Sequence, residues 1–415
     1  MDSTYSRRTY LARGGAALAG VGSLAGCAGR LRDGGGTVTF GSILPLSADG
    51  LLGDLGQAHT RAVETAIGDV RAAGGPLGRD VELLSRDSEV DGETAVSQCR
   101  ALVEAGAVGF VGALVSDVSL ALAEFVSDNP VAQVSPSSTT PALAGRGYVG
   151  DTKYVGRTAP NDIQQAFVMA KALNDAKHAG AETVGVLYQN NGFGNSLARE
   201  VVDAVDGRVT AEVPFDPGAD AFDDTIAEVT GGDPDAIAVV SSPGSTRGVL
   251  RTGVESDYAG DWVLSAGLIP SSPPDYFDGL YGATMASRRS TGAQRLAQKL
   301  DDIAPLPAYT QHAYDALFLQ ALAVERAGEA TPEAVATNLR AVSGGRGHTV
   351  TVGEFDRARK LLDAGREVNY EGASSSVDLN ANLEPLNPYV IQRVRAGTVE
   401  DLELVKASFF AGRED

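Results

Sequence analysis

The sequence predicts an α/β fold made of two doubly wound parallel-sheet lobes, and three observations lead to this class. Short apolar runs typical of buried strands alternate with amphipathic helical segments from residue 37 onward, as in parallel sheets covered on both faces. The alternation occurs in two comparable units, which indicates two lobes with a cleft between them. A chain of 415 residues, 43% of them apolar and 21% charged, has enough apolar sequence for two to three domains.

The first unit contains four predicted strands and three predicted helices. The strands are expected at 38–44, 81–85, 107–111 and 131–134, and the helices at 57–73, 94–105 and 119–126. Residues 48–56 are rich in Gly and Asp and are predicted to form a loop. The segment Gly74-Gly75-Pro76 ends the first long helix and turns the chain.

The second unit repeats the alternation. Helices are predicted at 163–176, 195–205, 222–229 and 247–255, and strands at 183–188, 208–213, 236–240 and 262–264. Ligands of open parallel sheets bind outside the carboxyl ends of the strands. We therefore expect the cleft to be lined by the loops that follow Leu44, Val111, Val134, Tyr188, Val240 and Leu264.

The chain is strongly acidic. It carries 54 Asp and Glu against 34 Lys and Arg, a net charge of −20, and only 6 of the basic residues are Lys. A chain with this charge and no basic patch excludes DNA and RNA as partners. Abundant Asp with little Lys indicates a surface adapted to high salt, where self-repulsion between carboxylates is screened.

The N-terminus has the pattern of an export signal. Residues Ser6 to Leu11, with Arg7 and Arg8, resemble the twin-arginine motif, and Leu24-Ala25-Gly26-Cys27 resembles a lipobox. The pattern predicts a signal peptide at 1–26, lipid attachment at Cys27, a flexible tether at 27–36 and a location on the extracellular face of the membrane. The alternative is an amphipathic N-terminal helix with an incidental Cys.

Neither the N-terminal segment nor the rest of the chain has a run of about 20 strongly apolar residues, so no helix is expected to span a bilayer.

With Cys27 attached to lipid, the second cysteine, Cys99, would be left without an intrachain partner. We expect it to be a small buried residue on a helix.

The sequence predicts no catalytic residue, no metal site and no cofactor. The four His are far apart, and neither a nucleophile elbow nor a phosphate-binding P-loop occurs. Gly192-Phe193-Gly194 follows a strand and opens a helix, as a dinucleotide fingerprint does. Leu197, however, occupies the position where that fingerprint requires Gly or Ala.

Several loop sequences occur in the order found in one family. They are Gly41-Ser42-Ile43-Leu44-Pro45-Leu46-Ser47, Gly53-Asp54-Leu55-Gly56, Gly74-Gly75-Pro76-Leu77-Gly78-Arg79 with Asp87, Val111-Gly112 before Ser116, Ser135-Pro136-Ser137-Ser138-Thr139-Thr140-Pro141, and Tyr370-Glu371-Gly372-Ala373-Ser374. Over nearly the whole mature chain, the sequence resembles the substrate-binding lipoproteins of branched-chain amino acid type ABC importers, the leucine/isoleucine/valine-binding family.

The resemblance implies a type I periplasmic binding fold in which three crossovers form the hinge. They would lie near 156–159, 283–287 and 372–377. Lobe one would comprise 37–157 plus 286–372, lobe two 158–285 plus 373–405, and residues 406–415 would be a tail. A few hinge residues would absorb the change in backbone angles when the lobes close.

The resemblance also implies a ligand site. Ser116, Ser137, Ser138 and Thr139 correspond to the residues that bind a ligand carboxylate, and Phe193 to an aromatic cover, usually Tyr. Leu52 and Pro243 (or its neighbour Ser242) stand where the family often has aromatic residues. Ala266 falls where amino-acid binders carry the acid that pairs with the ligand amine. Either another acid, Asp117 or Asp54, serves this purpose, or the ligand has no amine.

We therefore expect a monomeric receptor that binds an amino acid, amide or small carboxylate and delivers it to an ABC permease, with the lipid as its only contact with the membrane. One alternative is a sensor of the same fold that reports its ligand to a regulatory partner. The other alternative is an exported α/β enzyme.

Overall fold

The computed structural model describes residues 35–242, 244–286 and 290–413, and the first part of this region forms a five-stranded parallel sheet. The strand order is β2-β1-β3-β4-β7, with a small hairpin, β5-β6, before the last strand. The elements are β1 (Val38–Leu44), α1 (Gly50–Ala72), β2 (Val81–Asp87), α2 (Gly92–Glu104), β3 (Gly109–Gly112), α3 (Ser116–Asp128), β4 (Ala132–Ser135), β5 (Tyr148–Val149), β6 (Thr152–Lys153) and β7 (Val155–Arg157).

The second part of the chain builds most of a seven-stranded sheet. Strands β8 to β11 are all parallel to their neighbours, and β12 is parallel to β11. The elements are α4 (Asp162–Asn174), β8 (Thr183–Gln189), α5 (Gly192–Ala204), β9 (Arg208–Phe215), α6 (Asp223–Thr230), β10 (Ala236–Val240), α7 (Arg247–Val254), β11 (Asp261–Leu264) and β12 (Tyr281–Met285).

The last part of the chain contributes to both lobes. Helices α8 (Thr291–Lys299), α9 (Thr310–Ala327), α10 (Pro332–Ser343) and α11 (Phe355–Asp363), with the strand pair β13 (His348–Thr351) and β14 (Val368–Glu371), share one core with the first sheet. Strands β15 (Tyr389–Arg395) and β16 (Thr398–Val405) extend the second sheet in antiparallel fashion, giving the order β16-β15-β12-β11-β10-β8-β9. The chain thus passes between the lobes three times, and the predicted fold class is confirmed.

Three helices begin three or more residues earlier than the sequence predicted, and this extends them to the cleft. Helix α1 begins at Gly50, so the segment predicted as a loop at 48–56 is largely helical. The first turns can pack this closely because Gly53 and Gly56 lack side chains. A Cβ at these positions would lie 1.9 Å from the Ala48 carbonyl oxygen and 2.3 Å from that of Pro45. Helices α3 and α5 likewise begin three residues before their predicted starts.

Cys99 is fully buried on α2, and its burial raises the pKa of the thiol to about 12. This confirms the prediction of a small buried core residue. The twin-arginine motif and Cys27 lie outside the described residues. Among the residues that are described, no helix combines the length and apolar character that crossing a membrane requires.

Candidate ligand-binding cleft

A cavity of about 710 Å³ lies between the two lobes. All six loops that were predicted to line the cleft contribute to its wall, together with residues of α4, α9 and the crossovers. The six loops contribute Asp49, Leu51 and Leu52 after β1, Leu114 to Val118 after β3, Ser137 and Thr139 after β4, Gln189 and Asn191 to Phe193 around the end of β8, Ser242 and Ser245 after β10, and Ala266 and Gly267 after β11. The alternation of strands and helices therefore located the cleft correctly.

The amino end of helix α3 forms part of the lobe-one wall. Ser116 is its first residue, and no side chain caps the helix. The first N–H groups of a helix have no acceptor within it, so they are available to an anion along with the positive end of the helix dipole. Ser116 itself lines the cavity.

The Ser-rich loop after β4 is held by its own hydroxyls. The Ser137 hydroxyl donates to the Leu114 carbonyl at 2.7 Å, so toward a ligand it can only accept. Ser138 does not line the cavity. Its side chain is fully buried, with its oxygen 2.6 Å from that of Ser119, so it braces the loop from behind. Thr139 does line the cavity.

A buried ion pair supports this loop. Arg157, at the end of β7, donates to the carbonyl oxygens of Ser138 at 3.1 Å and Thr140 at 2.8 Å. Its guanidinium is paired with Glu384, and the two side chains are only 1% and 3% exposed. The other oxygen of Glu384 accepts from the Asn161 side chain at 3.0 Å. Sequence reasoning missed this pair, since 227 residues separate its members.

Next to this pair, Asp162 has a buried carboxyl group. Neither of its oxygens has a well-aligned hydrogen-bond partner among the described residues, although the hydroxyls of Thr139 and Ser196 lie close enough to interact with them. Burial raises the pKa of Asp162 to about 7, although the Thr139 hydroxyl and the Arg157 guanidinium nearby lower it. The carboxyl is therefore poised to change its charge near neutral pH.

Two glycines position Phe193 at the cleft, for different reasons. A Cβ on Gly194 would lie 1.9 Å from the Gln189 carbonyl oxygen, so this glycine permits the tight turn that starts α5. The turn is capped by the Asn191 side chain, which accepts from the Gly194 N–H at 2.7 Å. A Cβ on Gly192 would instead lie 2.5 Å from a carboxylate oxygen of Asp117, which belongs to the other lobe.

On lobe two, the amide of Gln189 is fixed by its neighbours. Its oxygen accepts from the Ser242 N–H at 3.0 Å and from the Ser241 hydroxyl at 3.1 Å. Phe193, Ser242 and Ala266 line the cavity around it, whereas the predicted site residue Pro243 lies outside the described residues.

The cavity wall contains few charged groups. Among its described residues there is no Lys or Arg, and its acids are Asp49 and Asp117, both exposed. Asp54, the other acid predicted for a ligand amine, does not line the cavity. Burial lowers the pKa of the cavity-lining His59 to about 4, so this imidazole is neutral at pH 7.

Asp315 holds the wall near the third crossover. It is fully buried on α9 and accepts from the Tyr370 hydroxyl at 2.6 Å and from the N–H groups of Ala373 and Ser374 at 2.9 and 2.8 Å. The Ser374 hydroxyl donates to it as well, at 2.6 Å. Ala373 and Ser374 line the cavity. An acid inside the apolar run of α9 was the sequence signal that could have revealed this support.

Asp175, His178 and Glu403 form a cluster outside the cleft that the sequence reading also missed. Lys171 lies between its two acids, with its ammonium 3.0 Å from Asp175 and 3.2 Å from Glu403. The ammonium thus supplies positive charge to the cluster, which connects α4 to β16.

The profile of the periplasmic binding protein family matches residues 37–371. The chain is 42% identical to the chemotactic signal transduction system substrate-binding protein BasB of Halobacterium salinarum, over 91% of this chain and 92% of the relative. In structure it is similar to a leucine-binding protein of Thermotoga maritima, with a TM-score of 0.71 and 21% identity over 90% of this chain and 99% of the other. It is also similar to a Rhodopseudomonas palustris solute-binding protein in complex with benzoate, with a TM-score of 0.69 and 16% identity over 89% and 97% of the chains.

Both the extent of the profile match and the identity to a relative of nearly equal length establish the family. The two-lobe architecture and the cavity between the lobes agree with it. The chain is therefore a member of the periplasmic binding protein family, whose members are solute-binding proteins.

Proposed function

We propose that this protein captures a small carboxylic acid in the interlobe cleft and presents the closed, loaded form to a membrane partner. The observation that carries the proposal is the amino end of α3 at a cavity wall whose described residues include no Lys or Arg. There the ligand carboxylate accepts from the first N–H groups of α3 and from the hydroxyls of Ser116 and Thr139. Ligand stabilises the closed state by its higher affinity for that state.

The carboxylate site is tested with a Ser116→Ala, Thr139→Ala double variant. Calorimetry of the wild type against amino acids, short amides and aromatic and aliphatic carboxylic acids first identifies a ligand. The double variant then loses at least roughly tenfold in affinity, about 1.4 kcal/mol. The matched control is Ser127→Ala, Thr337→Ala, whose hydroxyls donate within their own helices. Equal affinity of both double variants would remove this site.

The membrane partner follows from the relatives, and two candidates remain. The first is the permease of an ABC importer, as the resemblance to importer lipoproteins implies. The second is a chemotaxis transducer, favoured by the 42% identity to a chemotactic substrate-binding protein. Deleting the gene separates the two: loss of ligand uptake supports the importer, and loss of movement toward the ligand with normal uptake supports the sensor.

The proposal includes export by the twin-arginine route and a lipid anchor at Cys27. Cys27→Ser should release the protein into the medium, and Arg7→Lys, Arg8→Lys should retain it in the cytoplasm. The acidic, Lys-poor composition suits salt-rich surroundings outside the cell. The proposal also includes the residue boundaries of the two lobes that the family resemblance implies.

The protein makes and breaks no bond in this proposal. The predicted site residues on the cavity wall are Ser, Thr, Phe, Leu and Ala, which can bind a solute but provide no activated nucleophile. Mass spectrometry of a ligand after long incubation with the protein should recover it unchanged, and turnover would contradict the proposal.

A further inference from the structure

We infer that Gln189 sets the ligand specificity of lobe two, by offering an N–H donor that selects a ligand whose second polar group is a keto or hydroxyl oxygen. The inference rests on the proposed function, because it assumes that a carboxylate occupies the lobe-one site. It names the ligand class more narrowly, as 2-oxo or 2-hydroxy carboxylic acids in preference to the matching amino acids.

The orientation of the Gln189 amide is fixed by a group that can only donate. The Ser242 backbone N–H lies 3.0 Å from one amide atom of Gln189, so that atom must be the oxygen. The Ser241 hydroxyl donates to the same oxygen at 3.1 Å. Gln189 lines the cavity, and its amide nitrogen, which has no hydrogen-bond partner among the described residues, is the donor that this side chain can still offer to a ligand.

A ligand ammonium is a poor match for this wall. An ammonium group has only donors, so the amide nitrogen of Gln189 would face it donor to donor. No described residue of lobe two supplies a carboxylate at the cavity wall, and Ala266 stands among the lining residues instead. Asp49 and Asp117, the acids of the wall, lie on the other lobe and are exposed. An ammonium that loses its water without an acid to pair with is costly, whereas an oxygen accepts from the amide.

One substitution at position 189 can replace the hydrogen-bond donor of this side chain with an acceptor. In Gln189→Glu, one carboxylate oxygen keeps both the Ser242 N–H and the Ser241 hydroxyl, and the other replaces the amide nitrogen at the cavity. The side chain has nearly the same shape, but its free atom now accepts and carries negative charge. The variant should therefore favour an ammonium.

The experiment measures three ligands with one carbon skeleton by calorimetry in concentrated salt: 4-methyl-2-oxopentanoate, 2-hydroxy-4-methylpentanoate and leucine. The wild type is expected to bind at least one of the two oxygen compounds roughly tenfold or more tightly than leucine. Gln189→Glu is expected to reverse that order. Asn190→Asp is the control, since it adds the same charge at the next position, exposed and outside the cavity wall.

A second variant covers the case in which the Glu side chain prevents folding. Gln189→Met keeps the length of the side chain and removes the donor, so it should lose roughly tenfold in affinity for the oxygen compounds and little for leucine. Tighter binding of leucine by the wild type would overturn the inference. So would an unchanged ratio between the affinities for the oxygen compounds and for leucine in whichever variant folds.

The same measurements separate this inference from the proposed function. If none of the three compounds binds the wild type, the inference is wrong. The proposed function falls only if the wider panel of carboxylic acids also fails to bind, or if the bound ligand proves independent of Ser116 and Thr139.

Discussion

The Asp117 carboxylate lies directly against the backbone of Gly192, where the first turn of α3 on one lobe meets the first turn of α5 on the other. Both carboxylate oxygens would be within 2.6 Å of a Cβ at position 192. This contact brings a negative charge to the amino end of α5, where the helix dipole is positive. It therefore joins the two lobes at the rim of the cleft.

Gly192→Ala should weaken ligand binding, because the added methyl group forces Asp117 away from the amino end of α5 and disturbs the contact between the lobes. Overpacking of this kind costs on the order of 1–3 kcal/mol, so affinity should fall at least about fivefold. Calorimetry against the ligand found by screening measures the change.

Asp117→Ala provides the control for this explanation. When combined with Gly192→Ala, it removes the carboxylate that collides with the methyl group, so the double variant should bind more tightly than Gly192→Ala alone. If the losses in binding free energy of the two single variants add up in the double variant, the effect of Gly192→Ala is local to α5. The contact with Asp117 across the cleft is then not its cause.

The pairing of Arg157 with Glu384 should be essential to both stability and binding. In Glu384→Gln the buried guanidinium loses its counter-charge, and breaking a buried pair from one side costs roughly 3–5 kcal/mol. Arg157 also holds the carbonyl groups of Ser138 and Thr140, so ligand affinity should fall as the loop loosens. Chemical denaturation and calorimetry measure the two effects.

The exposed pair between Arg251 and Glu255 on α7 is the matched control. Both side chains are more than half exposed, so Glu255→Gln should change the free energy of unfolding by less than about 1 kcal/mol. Similar losses for both Glu→Gln variants would show that the support of the ligand loop does not depend on the buried pair.

The sequence predicted the layered architecture because apolar residues recur along the chain with the periods of strands and helices, and these periods can be recognised locally. It also predicted that the loops carrying Ser116, Thr139 and Phe193 meet at one cleft, since the carboxyl ends of parallel strands meet at one edge, whereas these three residues themselves were implied by the family resemblance. Helix starts were less predictable. Glycine at positions 53 and 56 has a low intrinsic preference for helix, and only close packing against Ala48 and Pro45 explains its presence in α1.

The supports of the site could not be predicted from local patterns. Arg157 meets Glu384 from 227 positions away, and Asp315 meets Ser374 from 59 positions away. Such pairs depend on where the crossover segments come together in the fold. The local period of apolar residues does not specify this. The family resemblance implies a ligand contact for Ser138, which is adjacent to two residues that line the cavity, but its hydroxyl faces Ser119 instead.

Asp162 should make the folded protein less stable as pH rises. An acid paired with a cation has the opposite effect, because its pKa is lowered by folding. Burial raises its pKa from 3.8 to about 7 in the folded protein, so between these values the folded state holds a proton that the unfolded state has lost. Its contribution to stability therefore falls as pH rises from about 4 to about 7, by at most roughly 4 kcal/mol. Above pH 7 the loss is complete.

Asp162→Asn removes this titration and keeps the shape of the side chain. The variant should be more stable than the wild type at pH 8 and should lose that advantage at pH 5, as measured by chemical denaturation at constant salt. Asp128→Asn, at the exposed end of α3, reports the effect of removing a charge from this acidic chain. A constant difference between Asp162→Asn and the wild type across this range would contradict the assignment of the titration to Asp162.

Asp315→Asn should destabilise the protein whichever way the new amide is turned. Each carboxylate oxygen accepts from a backbone N–H, one from Ala373 and the other from Ser374. An amide nitrogen in either position therefore faces a buried donor, which costs roughly 1–3 kcal/mol or more. Because Ala373 and Ser374 line the cavity, ligand affinity should fall along with the free energy of unfolding.

Tyr370→Phe separates this mismatch from the loss of one hydrogen bond. It removes a single donor to Asp315 and leaves both N–H contacts in place, so it should cost about 1 kcal/mol and leave affinity nearly unchanged. Denaturation and calorimetry test whether Asp315→Asn loses more stability and more ligand affinity than Tyr370→Phe. Asp128→Asn is the exposed control. An Asp315→Asn protein as stable as Tyr370→Phe would mean that the loop carrying Ala373 and Ser374 is held by other contacts.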